Sequence, residues 1–190
     1  MTRIIENHLL LPDDPPSPSE LRRLLSAGSG NSDLHHGYLG PDEDLQKLIE
    51  TDARFLEERG LTHEQVAEAV EQLFASENPE EFRGTPIISL EYIHSPPCPW
   101  RDFIAVSPFD FRKKVTEIVV INRTKVDEFF KLLDERKGLG VNDYAELVKR
   151  DLVAVFSDLH PHLIRAHQFF EGHATPYRVD PTKVAHFLGI

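Results

Sequence analysis

Val115, Thr116, Glu117, Ile118, Val119, Val120, Ile121 and Asn122 form the run whose reading decides the fold. Six of these eight residues are β-branched, and the apolar ones follow one another without a polar alternate from 118 to 121. That pattern predicts a strand at the centre of a sheet, buried on both faces. Upstream, residues 87–94 alternate Ile88, Leu90 and Tyr92 against Ser89 and Glu91, which predicts a strand with one wet face nearer an edge. Residues 103–106 supply a third strand. Between the first two, Pro96, Pro97 and Pro99 exclude regular structure and hold Cys98 and Trp100 in a stiff loop.

Helical signals flank this block on both sides. Residues 12–19 read as a proline-rich arm, after which Ser17, Pro18 and Glu20 give an N-cap, a first-turn proline and a capping-box partner to a helix carrying Leu21, Leu24 and Leu25. A second helix is expected over 41–59, stopped by Gly60. The third is the best-marked element: Thr62 and Gln65 form a capping box, Leu61 and Val66 a hydrophobic staple, and Val66, Ala69, Val70, Leu73 and Phe74 the buried stripe. After the strands, Thr124 is expected to cap a helix with Val126, Phe129, Phe130 and Leu133 on its buried side, closed by Gly138 and Gly140, and Asn142 another containing Leu147, Val148, Leu152, Val155 and Phe156. Pro161 opens a helix running toward Gly172, and Asp180 with Pro181 opens a short last one. Helices around one block of strands predict an α+β fold, with a small antiparallel sheet of about three strands, roughly 87–122, covered on one face.

At 190 residues the chain is expected to form a single folded unit, with a natural division at 79–85 between a helical part and an α+β part. The net charge of -11 sets up a field that repels phosphate backbones and anionic bilayers, so neither nucleic acid nor membrane is an expected partner. The lone cysteine excludes an internal disulfide, and neither a signal peptide nor a membrane-length apolar run is read, so the expected compartment is the cytoplasm. A homo-oligomer or a protein partner is the association this composition allows. No dinucleotide, triphosphate, hydrolase-elbow or paired-cysteine zinc motif occurs, and no cofactor is expected.

Chemistry is hinted at in one place, residues 160–173, where on a continuous helix His160, Ile164, His167 and Glu171 would share a stripe. His167 and Glu171, four apart, would then supply two metal ligands or a histidine base oriented by a carboxylate. His160, two turns away, is too far to share one small ion without a bent helix start, so a third ligand would come from His94, His173 or the His35 and His36 pair, while His160 could assist a hydrolytic reaction. A purely structural role accounts for the same residues, with His167 as a satisfied core histidine and Glu171 on a wet edge. Cys98 reads as a small buried apolar residue. The His35 and His36 pair reads as part of a solvated glycine-rich loop. The reading that follows is a non-catalytic binding or interaction module; its alternative is a metal-dependent or histidine-based hydrolytic enzyme using the 160–173 segment.

Overall fold

The computed structural model describes residues 2–3, 11–12, 15–26, 37–92, 98–102, 114–136, 141–175 and 177–190. The expected strand at 103–106 and the histidines at 35, 36 and 94 lie outside the described residues. The chain opens with a two-residue antiparallel ladder between β1 (Thr2–Arg3) and β2 (Leu11–Pro12). Then come α1 (Pro18–Leu25), α2 (Leu45–Glu57) and α3 (His63–Phe74). Their starts follow the polar signals: Ser17 Oγ accepts the Glu20 N–H, and Asp44 accepts the Lys47 N–H at 2.8 Å. Thr62 and Gln65 close both halves of a capping box. Helix α2 begins at Leu45 rather than Pro41 because Asp44 takes the cap, while Glu43 turns away to accept the N–H groups of Gly40 and His173.

The sheet is antiparallel throughout, in the order β3 (Glu81–Phe82), β4 (Thr85–Tyr92), β5 (Lys114–Ile121) and β6 (Val153–Ser157). Strand β5 lies between β4 and β6, and Ile118, Val119, Val120 and Ile121 are all buried, as the β-branched run predicts. The sheet has four strands rather than about three, because residues 153–157, expected in a helix, pair with β5 from Ile121↔Val153 to Glu117↔Ser157. After β5 a single 3-10 turn (Arg123–Lys125) leads into α4 (Val126–Arg136), and its cap is Asn122, which accepts the Thr124 N–H, in place of the expected Thr124. Helix α5 (Val141–Lys149) stops short of β6 in a reciprocal pair of hydrogen bonds, Leu152 N–H to Leu147 C=O and Asp151 N–H to Val148 C=O. Asp151 there occupies the left-handed region at φ 58°, a role usually left to glycine. Helices α6 (His160–His167) and α7 (Val184–Leu188) complete the fold.

Both faces of the sheet are covered, not one. Ile87, Ile118, Val120, Ala154 and Phe156 pack against Val66, Val70 and Leu73 of α3, Ile164 of α6 and Phe187 of α7. The opposite face, with Val119, Ile121, Val153 and Val155, meets Phe129 of α4 and Leu147 of α5. Adding β6 as an apolar strand beside β5 creates two apolar faces, and each must be buried. A third apolar cluster joins Leu25 of α1, Leu48 of α2, Cys98, and Leu159, Leu163 and Phe169 around α6, with Trp100 against it. No helix among the described residues is long and apolar enough to cross a membrane.

Candidate metal centre

Helix α6 ends sooner than the 160–172 pattern predicts. Gln168 takes a left-handed conformation, φ 53°, and the Gln168 and Phe169 N–H groups turn back to Ile164 and Leu163. His167 is thus the last helical residue, and Glu171 lies beyond the stop. The four-residue spacing of His167 and Glu171 therefore does not bring them together, because it is a helical neighbour relation only on a helix.

His160 and Glu171 meet instead, in the interior. His160 Nδ1 accepts the Ser157 N–H at 2.7 Å, so a neutral ring carries its proton on Nε2, which lies 3.1 Å from Glu171 Oε1. Glu171 Oε2 accepts the Thr175 hydroxyl at 2.9 Å, and the Glu171 carbonyl accepts from Arg178. Both side chains are buried, so Glu171 is not on a wet edge. Nearby Glu117 is pushed up to about 7, first by burial and then by the charges of Glu171 and Asp158, against the opposing pull of His160. His173 is exposed, held by its backbone N–H rather than its ring.

On another side of α6, His162 and His167 turn toward the loop at residues 98–102. The Arg101 N–H closes a turn onto the Cys98 carbonyl at 2.9 Å, with Arg101 itself left-handed at φ 61°. Arg101 also reaches Glu20 of α1 at 2.6 Å, which ties the loop to the helical layer beneath. Trp100 stacks on the His167 ring, centroids 4.0 Å apart and planes 8° from parallel, and meets Phe169 edge-on. The turn leaves the Cys98 thiol beside the Asp102 carboxylate, facing the two histidines.

Among the described residues, Cys98, Asp102, His162 and His167 are the one group of three or more such side chains whose donor atoms all lie within 4.8 Å of one another. The two Nε2 atoms are 3.2 Å apart, and Cys98 Sγ is 3.6 Å from His167 Nε2. Asp102 Oδ1 is 2.9 Å from His162 Nε2, and Oδ2 is 3.2 Å from His167 Nε2. Zinc bonds of about 2.0–2.1 Å to nitrogen and 2.3 Å to sulfur imply tetrahedral edges of about 3.3 Å between nitrogens and about 3.6 Å from nitrogen to sulfur. The observed separations fall close to those edges. Two imidazoles at i and i+5 are about 140° apart around an ideal helix, so this convergence depends on the side chains and on the helix stopping at His167.

Electrostatics favour the liganding forms of Asp102 and His167 and oppose that of Cys98. Burial opposes charge on Asp102, yet hydrogen bonds from Cys98 and His162, with the charges of both histidines, hold its carboxyl below the usual range. Burial first, and His162 second, hold His167 toward the neutral imidazole, against the pull of Asp102. Burial, reinforced by Asp102, pushes the Cys98 thiol well up, so a cation must supply the charge that draws off its proton. Of the residues singled out from the sequence, only His167 belongs to this group. His162, Asp102 and the ligand role of Cys98 were missed. The signal that could have found them is Cys98 four before Asp102 in a proline-stiffened loop, joined with a second histidine on the same helix. No protein-family model, curated protein or solved structure matches the chain.

Proposed function

We propose that this protein is a zinc protein whose metal is held by Cys98, Asp102, His162 and His167 and staples the 98–102 loop onto α6. The observation that carries the reading is the convergence of four donor atoms within 4.8 Å of one another, with the His162–His167 and Cys98–His167 separations, 3.2 and 3.6 Å, at the edges of a zinc tetrahedron. A thiolate with two imidazoles is a soft to borderline donor set, which selects zinc over magnesium, calcium or manganese. The reading shares with the hydrolytic alternative only its metal, held by a different ligand set from the residues first considered, and a zinc that staples a loop is equally compatible with a non-catalytic module. A thiol ligand must stay reduced, which agrees with the cytoplasmic compartment inferred from the lone cysteine.

Elemental analysis of protein purified without chelator or nickel resin tests this directly, with about one zinc per chain expected. The apo protein carries its own reporter, since its single tryptophan stacks on a ligand ring. Zinc titration should change Trp100 fluorescence with a one-to-one endpoint, and His162→Ala or His167→Ala should abolish both the change and the bound metal. Metal-free protein whose fluorescence ignores added zinc would overturn the proposal.

A further inference from the structure

We infer that the coordination position of Asp102 is exchangeable, and that the metal takes a small mono-anionic oxygen donor there, of the carboxylate class. The inference rests on the zinc reading above and assigns that site a ligand.

The four donors are not equally anchored. Cys98 is 1% exposed and sits in the apolar cluster with Leu163 and Phe169. The His167 and His162 side chains are 10% and 17% exposed, and the first is clamped beneath Trp100. The Asp102 side chain is 46% exposed. Metal-bound carboxylates are normally steadied by hydrogen bonds from outside the ligand set. Among the described residues, the hydrogen-bond partners of the Asp102 carboxylate are members of the cluster itself: Cys98, His162 and His167. Its oxygens straddle the two rings, Oδ1 within 2.9 Å of one and 3.3 Å of the other. Three ligands are therefore built into the fold, and the fourth stands on a half-exposed side chain. That is the division between a closed structural zinc site and one that keeps a place for an incoming group.

Charge balance names the incoming group. Zinc with one thiolate and two neutral imidazoles carries a net charge of +1, and the Asp102 carboxylate brings it to zero. A replacement that preserves neutrality is a mono-anion. A dianion would leave the site negative on a chain already at -11. A carboxylate-bearing small molecule and a metal-bound hydroxide share this chemistry, and the test below separates them.

Cobalt(II) loaded into the full chain reports the ligand sphere through its visible bands and its thiolate-to-metal charge-transfer absorption. Titration with acetate should shift the visible bands saturably while leaving the thiolate band in place. Asp102→Ala should retain cobalt and the thiolate band and bind acetate about tenfold more tightly, because the internal competitor is gone. Band shifts driven by raising the pH in the absence of acetate, and reversed by adding it, would assign hydroxide as the resting occupant of the same position. If acetate leaves the wild-type bands unmoved and Asp102→Ala, still folded by far-ultraviolet circular dichroism, loses the thiolate band, Asp102 is a fixed ligand and exchange is overturned while the zinc reading stands. If wild-type protein takes up no cobalt and shows no thiolate band, the zinc reading itself has failed.

Discussion

The ion pair of Asp52 and Arg178 joins α2 to the segment that carries Glu171, and its removal is the sharpest stability test the fold provides. Arg178 addresses Asp52 with both arms of its fork, Nη2 to Oδ1 at 2.5 Å and Nη1 to Oδ2 at 3.0 Å, and Nη1 also donates to the Glu171 carbonyl. The side chains are only 1% and 8% exposed. Burial raises the Asp52 carboxyl against the hydrogen bond and charge of Arg178, so desolvation of this pair opposes its attraction. Two consequences follow with opposite signs. Asp52→Ala strands a buried guanidinium and should cost about 3 to 5 kcal/mol, a large share of the 5–15 kcal/mol typical of a folded domain. A Coulomb term of about 4 kcal/mol at 4 Å and an effective dielectric near 20 is of the same size. Replacing both partners, Asp52→Leu with Arg178→Met, removes the desolvation along with the attraction and should fall within about 1 kcal/mol of wild type. Urea melts at saturating zinc of wild type, Asp52→Leu, Arg178→Met and the double variant give the cycle, with Asp52→Ala measured beside them. A cost below about 1 kcal/mol for Asp52→Ala, or a double variant as damaged as the sum of the singles, would refute the argument.

Two further outcomes are expected. Thr62→Ala should cost about 1 kcal/mol and lower the urea midpoint by roughly 0.3 to 1 M, since it breaks a capping box in which the Gln65 N–H and the Thr62 N–H are each satisfied by the other's side chain; unchanged midpoints would count against it. Glu117, raised to about 7 from an ordinary 4.5, binds its proton more tightly folded than unfolded, so it draws stability down as pH rises from about 4.5 through about 7. After allowance for its partial exposure this amounts to about 1 to 2 kcal/mol, and Glu117→Gln should flatten that part of the stability-pH curve; an unaltered slope would show that the carboxyl is not the group responsible.

How much was legible in the chain divides along particular residues. Helix stops illustrate it best. Gly60 ends α2 with φ 67° and a Leu61 N–H returning to Leu56, as a glycine after an apolar stripe predicts. The stop after α5 has the same hydrogen-bond pattern but is made by Asp151, and the stop after α6, where Gln168 N–H returns to Ile164 and Phe169 N–H to Leu163, is made by Gln168, both in the left-handed region. Neither residue type announces a stop, because each is there at a conformational cost met by packing further along the chain. Missing the first hid β6, and missing the second placed Glu171 on a helix it does not join. An apolar run buried on both faces, such as Val153, Ala154, Val155 and Phe156, has no periodicity by which a strand differs from a buried helix.

Local chemistry, by contrast, was settled by the sequence alone. Capping boxes, first-turn prolines and a β-branched run act over a few residues, and the sequence holds those residues side by side, so α1, α3 and β5 and the α+β class follow from it. The candidate metal centre draws Cys98 and Asp102 from a proline-stiffened turn and His162 and His167 from a helix some sixty residues later. Only the third apolar cluster, packing α1, α2 and the loop against α6, brings those segments together. Donor atoms must converge to within a few ångströms, and a spacing along the chain cannot express a distance that packing sets.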